Sequence, residues 1–318
     1  MASKKIISVF GATGKQGGSV VRAFLADSKL KSGWAVRGVS RNVASDSSKK
    51  LTAQGVEMVS ADFNDKSALV HAMQESSAVF AVTNYWEKMD MKLEIQQGKN
   101  LADAAKEAGV NHFVWSSLLN INKLTNGKLP NVYHFDSKAI VEDYIRELGI
   151  PATFFMPGFF MSNIPGGMMR QIPPSNAWTL ALPVPETAPF PMFDEEDNTG
   201  KWVKAIVQKR DQPGMLGRQV YAASAYMTPK EIVEGFKRTF PEAGKTAGFF
   251  SMPHEQFLKM LTGTGMPQFA AQELLENMRL IDEGGYFGGK ELAHDILDEK
   301  PTTWEEYMKK SPVFKDLK

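Results

Sequence analysis

The stretch IISVFGATGKQG at residues 6–17 decides the fold of this 318-residue chain. Residues 6–10 form an apolar run of strand length, and Gly-x-x-Gly-x-x-Gly follows at residues 11–17. Residues 15–28 then carry apolar side chains at helical spacing. A glycine-rich turn between a strand and a helix predicts a dinucleotide site, because glycines let the backbone approach a pyrophosphate and the helix N-terminus attracts its charge. The residues of this turn that we predict to bind the cofactor are Gly11, Thr13, Gly14, Lys15, Gln16 and Gly17.

Short apolar runs alternate with amphipathic helical stretches through the first half of the chain. Their order predicts an α/β fold with a doubly wound Rossmann sheet of parallel strands, buried on both faces. The predicted strands are residues 6–10, 35–40, 56–60, 78–82, 112–116 and 152–156. Proline and glycine become dense after residue 156, and short helices follow towards the C-terminus. We predict an NAD(P)-binding Rossmann domain at residues 1–157 and a smaller, mainly helical lobe at residues 158–318, from which roughly residues 187–225 return to the first domain.

The composition excludes several classes of function. Lys plus Arg is 37 and Asp plus Glu is 36, so the net charge of +1 gives no general attraction to nucleic acid. The chain has no cysteine and five scattered histidines, so we expect no disulfide, no thiolate nucleophile and no metal site. No apolar run is long enough to span a bilayer, and we expect a cytoplasmic protein without a membrane segment.

Arg41 follows the second predicted strand, where dinucleotide-binding folds select their cofactor. A site that prefers NAD usually places Asp or Glu about 20 residues beyond the glycine motif, on the ribose 2′-hydroxyl. The local sequence here is Ser40-Arg41-Asn42, without an acid. A guanidinium can pair with a 2′-phosphate through two parallel hydrogen bonds. We therefore predict NADP(H) as the cofactor, and the alternative is that Arg41 is a solvated surface arginine.

Side chains that follow the other strands should also line the cofactor crevice, because ligands bind outside the carboxyl ends of parallel strands. These predicted cofactor-binding residues are Asp62, Phe63, Thr83, Asn84, Tyr85, Phe159 and Phe160. For each of them, loop capping or local packing explains the residue equally well. We expect the acidic run at residues 194–197 to be a solvated loop or helix start.

Three blocks, in this order, resemble the NmrA-like family of atypical short-chain dehydrogenases/reductases: GATGKQGG at residues 11–18, VTNYWE at residues 82–87 and HFDSK at residues 134–138. The resemblance is strongest to the HSCARG-type NADPH-sensor branch of that family. The wider superfamily uses Tyr-x-x-x-Lys on a helix. Here Lys138 is present, but His134 occupies the position of the tyrosine.

The resemblance implies that Lys138 contacts the cofactor, whereas two roles are open for His134. Lys138 would contact the nicotinamide ribose of the cofactor; the alternative is a surface lysine whose stem packs on the helix. His134 can serve as a proton donor, since an unperturbed imidazole titrates near ~6.5, or it can simply pack at the helix start. We predict Lys138 and His134 as the catalytic residues if the chain is an enzyme.

The resemblance implies a redox sensor and transcriptional co-regulator that binds NADP(H) and changes a protein interface. Its expected partner is a protein such as a GATA-type transcription factor, and with that partner we expect a nuclear location beside the cytoplasmic one. A homodimer is a separate expectation. The alternative is an NADPH-dependent oxidoreductase that reduces a small apolar carbonyl, quinone, imine or enone with Lys138 and His134. The absence of the tyrosine favours the sensor, and whether the chain is an enzyme stays open.

Overall fold

Residues 4–318 are described by a computed structural model. The strands are β1 (Lys5–Phe10), β2 (Trp34–Ser40), β3 (Glu57–Ser60), β4 (Ser76–Ala81), β5 (Phe113–Ser116), β6 (Ala152–Pro157), β7 (Phe159–Phe160), β8 (Met169–Ile172), β9 (Ala177–Leu182), β10 (Phe190–Phe193), β11 (Gln219–Ala222), β12 (Ala225–Met227) and β13 (Gly248–Ser251). The helices are α1 (Lys15–Ala26), α2 (Ser28–Gly33), α3 (Asp46–Ala53), α4 (Lys66–Met73), α5 (Met91–Glu107), α6 (Ile121–Leu124), α7 (Tyr133–Leu148), α8 (Asn198–Gln208), α9 (Pro229–Thr239), α10 (Pro241–Gly244), α11 (His254–Gly263), α12 (Gln268–Glu283) and α13 (Trp304–Lys310). Short 3₁₀ turns lie at Tyr85–Glu87, Met161–Asn163 and His294–Ile296, and a π-type turn lies at Ile164–Met168.

A seven-stranded parallel sheet forms the centre of the molecule, in the order β11-β6-β5-β4-β1-β2-β3. The chain moves outward from β1 through β2 to β3, and then returns to build β4, β5 and β6 on the other side of β1. The strand order therefore reverses between β1 and β4, which is where ligands bind in open α/β sheets. The prediction of a doubly wound Rossmann sheet is confirmed.

The strands of the main sheet have apolar residues at nearly every position, because both faces of the sheet are covered. Along β4, Ala78 and Phe80 belong to one buried cluster, whereas Val79 and Ala81 belong to the other. Alternate side chains of a strand point to opposite faces, so a strand covered on both sides needs apolar residues at every position. Helices α1 and α8 pack together, as do α5 and α7, and α4 and α5.

The second half of the chain contributes a strand to the main sheet and a helix that covers it. β11 pairs in parallel with β6, and α8 packs so closely on α1 that a Cβ at Gly200 would lie 2.4 Å from the carbonyl oxygen of Ser19. Two small sheets, β12-β10-β7 and β13-β9-β8, accompany the helices. Some of these short strands lie in the stretch rich in proline and glycine, and the sequence pattern therefore did not predict them. Among residues 4–318, none of the helices combines the length and apolar character that crossing a bilayer requires.

Candidate dinucleotide site and active site

The turn after β1 has the geometry of a phosphate cradle. Gly11 adopts a φ of +66°, which favours glycine, and its carbonyl oxygen accepts a 2.8 Å hydrogen bond from the amide of Gly14. Helix α1 then begins at Lys15 without a side-chain cap. A Cβ at Gly17 would lie 2.2 Å from the carbonyl oxygen of Gly11, so only glycine lets α1 approach β1 this closely. The uncapped first turn of α1 leaves backbone N–H groups available to an anion.

A cavity of about 630 Å³ lies at this turn, outside the carboxyl ends of β1, β2, β3 and β4. Its volume is in the range of sites for cofactors and small ligands. The predicted residues that line it are Gly11, Thr13, Gly14, Lys15, Gln16, Gly17, Arg41, Asp62, Phe63, Thr83, Asn84, Tyr85 and Phe160. Lys138, His134 and Phe159 do not line this cavity. The carboxyl ends of the parallel strands therefore bring most of the predicted cofactor-binding residues together.

Arg41 lies at the rim of the cavity, in a forked ion pair with Glu87. Nη1 of Arg41 is 2.6 Å from Oε1 of Glu87, and Nη2 is 3.0 Å from Oε2. These hydrogen bonds raise the pKa of Arg41 and lower that of Glu87. Glu87 belongs to the VTNYWE block but was not among the predicted site residues, because nothing local indicates a partner 46 residues away.

Lys138 is tied to a buried carboxylate, Glu94, on α5. Nζ of Lys138 is 2.6 Å from Oε1 of Glu94, and the side chains of the two are 10% and 2% exposed. Thr83 donates a 2.7 Å hydrogen bond to the same oxygen, and Ser137 donates to Oε2. Burial opposes ionisation of Glu94, but Lys138 and the hydrogen bonds outweigh it and hold the pKa of Glu94 below its ordinary value. Glu94 lines the cavity, so it, and not Lys138, presents its side chain there.

Glu94 was not among the predicted site residues, although its position on α5 is unusual. Glu94 shares a face of α5 with the buried residues Gly98, Leu101, Ala102 and Ala105. A carboxylate on the apolar face of an amphipathic helix needs a buried partner. The helical pattern therefore indicates that Glu94 needs a buried partner, although it does not identify Lys138 as that partner.

His134 contacts a second buried carboxylate, Glu273, which comes from α12. Nδ1 of His134 is 2.6 Å from Oε1 of Glu273, and the backbone N–H of His134 donates to the same oxygen at 2.8 Å. The Tyr85 hydroxyl donates a 2.7 Å hydrogen bond to Oε2. Burial lowers the pKa of His134, opposed by its hydrogen bond with Glu273, and burial together with Glu273 raises the pKa of Tyr85. The lowered pKa favours the neutral imidazole, in which Nδ1 carries the proton and donates a hydrogen bond to Glu273.

The acidic run at residues 194–197 lies at the start of α8, one of the two predicted alternatives, but its first two residues are not solvated. Asp194 is 4% exposed and Glu195 is fully buried. Glu195 accepts hydrogen bonds from Ser162 and from Lys15 of the cradle, whose Nζ is 2.6 Å from Oε1. Asp194 accepts hydrogen bonds from the amides of Glu196 and Asp197 and so closes the turn before α8. Asp194 and Glu195 are thus buried where α8 packs against the helix of the phosphate cradle, whereas Glu196 is exposed and Asp197 partly exposed.

The two phenylalanines that follow β6 have different environments. Phe160 is partly exposed and lines the cavity. Phe159 is 4% exposed and packs edge-on against Phe190, with the ring centres 5.0 Å apart. These residues form β7, in which neighbouring side chains point to opposite sides, so one of them enters the core. The placement of Phe159 corrects the expectation that both rings would wall the pocket.

The chain is similar to known proteins over nearly its whole length. The model of the NmrA-like family matches residues 3–308. The NmrA-like family domain-containing oxidoreductase malD of Malbranchea aurantiaca is 32% identical over 76% of this chain and 75% of its own length. An NmrA-like family domain-containing protein of Dictyostelium discoideum is 30% identical over 97% of this chain and 98% of its own.

Solved structures agree in fold. NmrA, a negative transcriptional regulator crystallised with NADP, superposes with a TM-score of 0.75 at 21% identity, covering 100% of this chain and 93% of NmrA. The NADPH-dependent quinone oxidoreductase QOR2 of Escherichia coli, crystallised with NADPH, gives 0.72 at 20% identity, covering 95% and 98%. The family match over nearly the whole chain, with relatives at 30% identity and above, shows that the chain belongs to the NmrA-like family.

Proposed function

We propose that this chain binds NADP(H) and acts as a redox sensor, whose occupancy by the cofactor changes a surface that a protein partner reads. The observation that carries the proposal is the hydrogen bond from Tyr85 to Glu273. Tyr85 lines the cavity, and Glu273 belongs to α12 in the C-terminal part of the chain. A cofactor that contacts Tyr85 therefore acts on a side chain already bonded to a distant helix.

The residues of the cavity fit a dinucleotide with a 2′-phosphate. The uncapped start of α1, with Lys15, suits the pyrophosphate, and Arg41 at the end of β2 suits the 2′-phosphate. Asp62 and Phe63 follow β3 on the side of the sheet where an adenosine would lie. NmrA and QOR2 share this fold and were crystallised with NADP and NADPH. When bound, such a cofactor would supply or accept a hydride.

Two features favour a sensor over an enzyme. Neither Lys138 nor His134, the two predicted catalytic residues, lines the cavity. The superfamily tyrosine is also absent from its helix. The proposed reader of the occupied state is a protein partner such as a GATA-type transcription factor; NmrA itself is described as a negative transcriptional regulator.

Hydrogen exchange at α12 tests the sensor. We expect NADPH to change the exchange rates of residues 268–283 in the full chain. Tyr85→Phe keeps the ring in the cavity but removes the hydrogen bond to Glu273, so it should still bind NADPH while reducing that change about threefold or more. Tyr144→Phe is the matched control, because its hydroxyl bonds Asp103 between α5 and α7 instead.

Two results contradict the sensor proposal. If calorimetry gives no heat with NADPH or NADH, the chain does not bind a pyridine dinucleotide. If NADPH binds but leaves the exchange of α12 unchanged in the natural chain, occupancy is not transmitted through Tyr85.

A second candidate is an NADPH-dependent reductase of a small apolar carbonyl, quinone, imine or enone. The pairing of His134 with Glu273 favours it, because a carboxylate on Nδ1 fixes the tautomer and leaves Nε2 to exchange a proton. Its other supports are Lys138 and the relatives named oxidoreductases, among them malD.

Turnover of a quinone, aldehyde and enone panel, followed by NADPH absorbance, tests the reductase. We expect Glu273→Gln to lower kcat about tenfold or more and to displace the acidic limb of the pH profile. His71→Gln, at an exposed histidine of α4, is the control and should leave the rate unaltered. A chain that binds NADPH but turns over no member of the panel is not a reductase of these substrates.

A further inference from the structure

We propose that Glu87 is an internal competitor of the cofactor 2′-phosphate for Arg41, and that this competition sets how strongly the site discriminates NADP(H) from NAD(H). The inference rests on the proposed binding of NADP(H). Glu87, in the VTNYWE block, would then be a further residue that determines cofactor specificity. It follows β4, whereas Arg41 follows β2, so the two residues reach the cavity from opposite sides of the point where the strand order reverses.

The two hydrogen bonds between Arg41 and Glu87 use the same fork that a phosphate would use. A guanidinium presents parallel N–H donors in one plane, and carboxylates and phosphates both bind across them. Glu87 occupies Nη1 and Nη2 at 2.6 and 3.0 Å. A 2′-phosphate must either displace the carboxylate or accept a neighbouring negative charge, and both alternatives weaken its binding.

Glu87 is ionised at neutral pH and free to move away. Its pKa is lowered, first by the hydrogen bonds from Arg41, so the competing charge is fully present. Within the described residues, its carboxylate has no other hydrogen-bond partner, and the side chain is 36% exposed on a one-turn 3₁₀ helix. Its partner Arg41 is 64% exposed, so the pair is weakly held and reversible.

Among the other charged groups of residues 4–318 near Arg41, none takes the place of Glu87 on the guanidinium. Asp62 adds a second negative charge, but its carboxylate is oriented by the backbone and side-chain amides of Asn64, at 2.8 and 2.7 Å. Lys88 also lines the cavity and adds a positive charge beside Glu87. Of the two acids near Arg41, Glu87 alone is bonded to its guanidinium, so removing its charge should act chiefly on a ligand that carries the phosphate.

Calorimetry of the full chain with NADPH and with NADH tests the competition. We expect Glu87→Gln to tighten NADPH binding about fivefold, the scale of an exposed ion pair, and to raise the ratio of the NADH to NADPH dissociation constants by a similar factor. Arg41→Met should weaken NADPH binding about tenfold or more.

The double variant tests whether Glu87 acts through Arg41. When Arg41→Met is already present, adding Glu87→Gln should change the affinity for NADPH less than about twofold, since the partner of Glu87 is gone. Glu107→Gln removes the carboxylate of an exposed ion pair with Lys66, outside the cavity lining, and is the matched control.

The outcomes separate this inference from the function on which it rests. If the natural chain binds neither dinucleotide, the proposed function and the competition both fail. If it binds NADPH, and Glu87→Gln leaves that affinity unchanged, weakens it, or tightens NADH equally, the competition alone is overturned.

Discussion

Replacing Gly17 by alanine should lower the affinity for NADPH about tenfold or more and the free energy of unfolding by about 2 kcal/mol. The added Cβ would lie 2.2 Å from the carbonyl oxygen of Gly11 and 2.9 Å from that of Phe10. Both are backbone atoms of the strand and turn, so the contact cannot be relieved by rotating a side chain. Helix α1 must move away from β1, and the cradle opens.

Gly18→Ala isolates that contact from the general effect of alanine in a helix. Gly18 is the next residue of α1, and its Cβ would meet the end of the Arg22 side chain at 3.2 Å, with the carbonyl oxygen of Ala12 at 3.4 Å. Both variants gain roughly 1 kcal/mol of helix propensity, so their difference reports the collision at Gly17. Thermal unfolding and calorimetry measure it. Equal stability and equal NADPH affinity in the two variants would show that α1 does not depend on this close approach.

Glu94→Gln should cost about 3 kcal/mol of stability, the scale for breaking a buried ion pair. The change leaves Lys138, whose side chain is 10% exposed, beside a neutral amide. The double variant Glu94→Gln/Lys138→Met removes the unpaired charge as well, and we expect it to recover at least half of the loss. Urea unfolding of the natural chain, both single variants and the double variant completes the cycle.

The pH dependence of this pair has a defined sign. Because the pKa of Glu94 is lowered in the folded chain, its contribution is present above the unfolded value of about 4.3 and is lost as the pH falls through the folded value. The stability difference between the natural chain and Glu94→Gln should therefore narrow in acid. A loss below about 0.5 kcal/mol at neutral pH, or a double variant as unstable as the single one, contradicts a buried ion pair.

The sequence predicted the structure best where that structure depends on residues close together in the chain. The strand, glycine turn and helix at the start of the chain follow from local periodicity and from the backbone demands of Gly11 and Gly17. Arg41 and Thr83 were placed at the cavity by one topological rule, since each follows a parallel strand.

The remaining site residues depend on partners that sequence order does not reveal. Glu94 meets Lys138 across 44 residues, and Glu273 meets His134 across 139. Both acids are buried on amphipathic helices, which shows that they need partners without naming them. The strands β8 and β9 were missed for a different reason. They pair with each other in a stretch whose prolines and glycines resemble a loop.

Helix α8 and strand β11 come from the second half of the chain but pack on α1 and pair with β6, and this order affects how the chain folds during synthesis. When the first 157 residues have left the ribosome, β6 has no neighbour on its outer side, and α1 lacks the helix that later packs at Gly200. An unpaired strand edge invites pairing with other chains. We therefore expect a truncated version that ends at residue 157 to aggregate through this edge, so that it would not report the properties of the cradle.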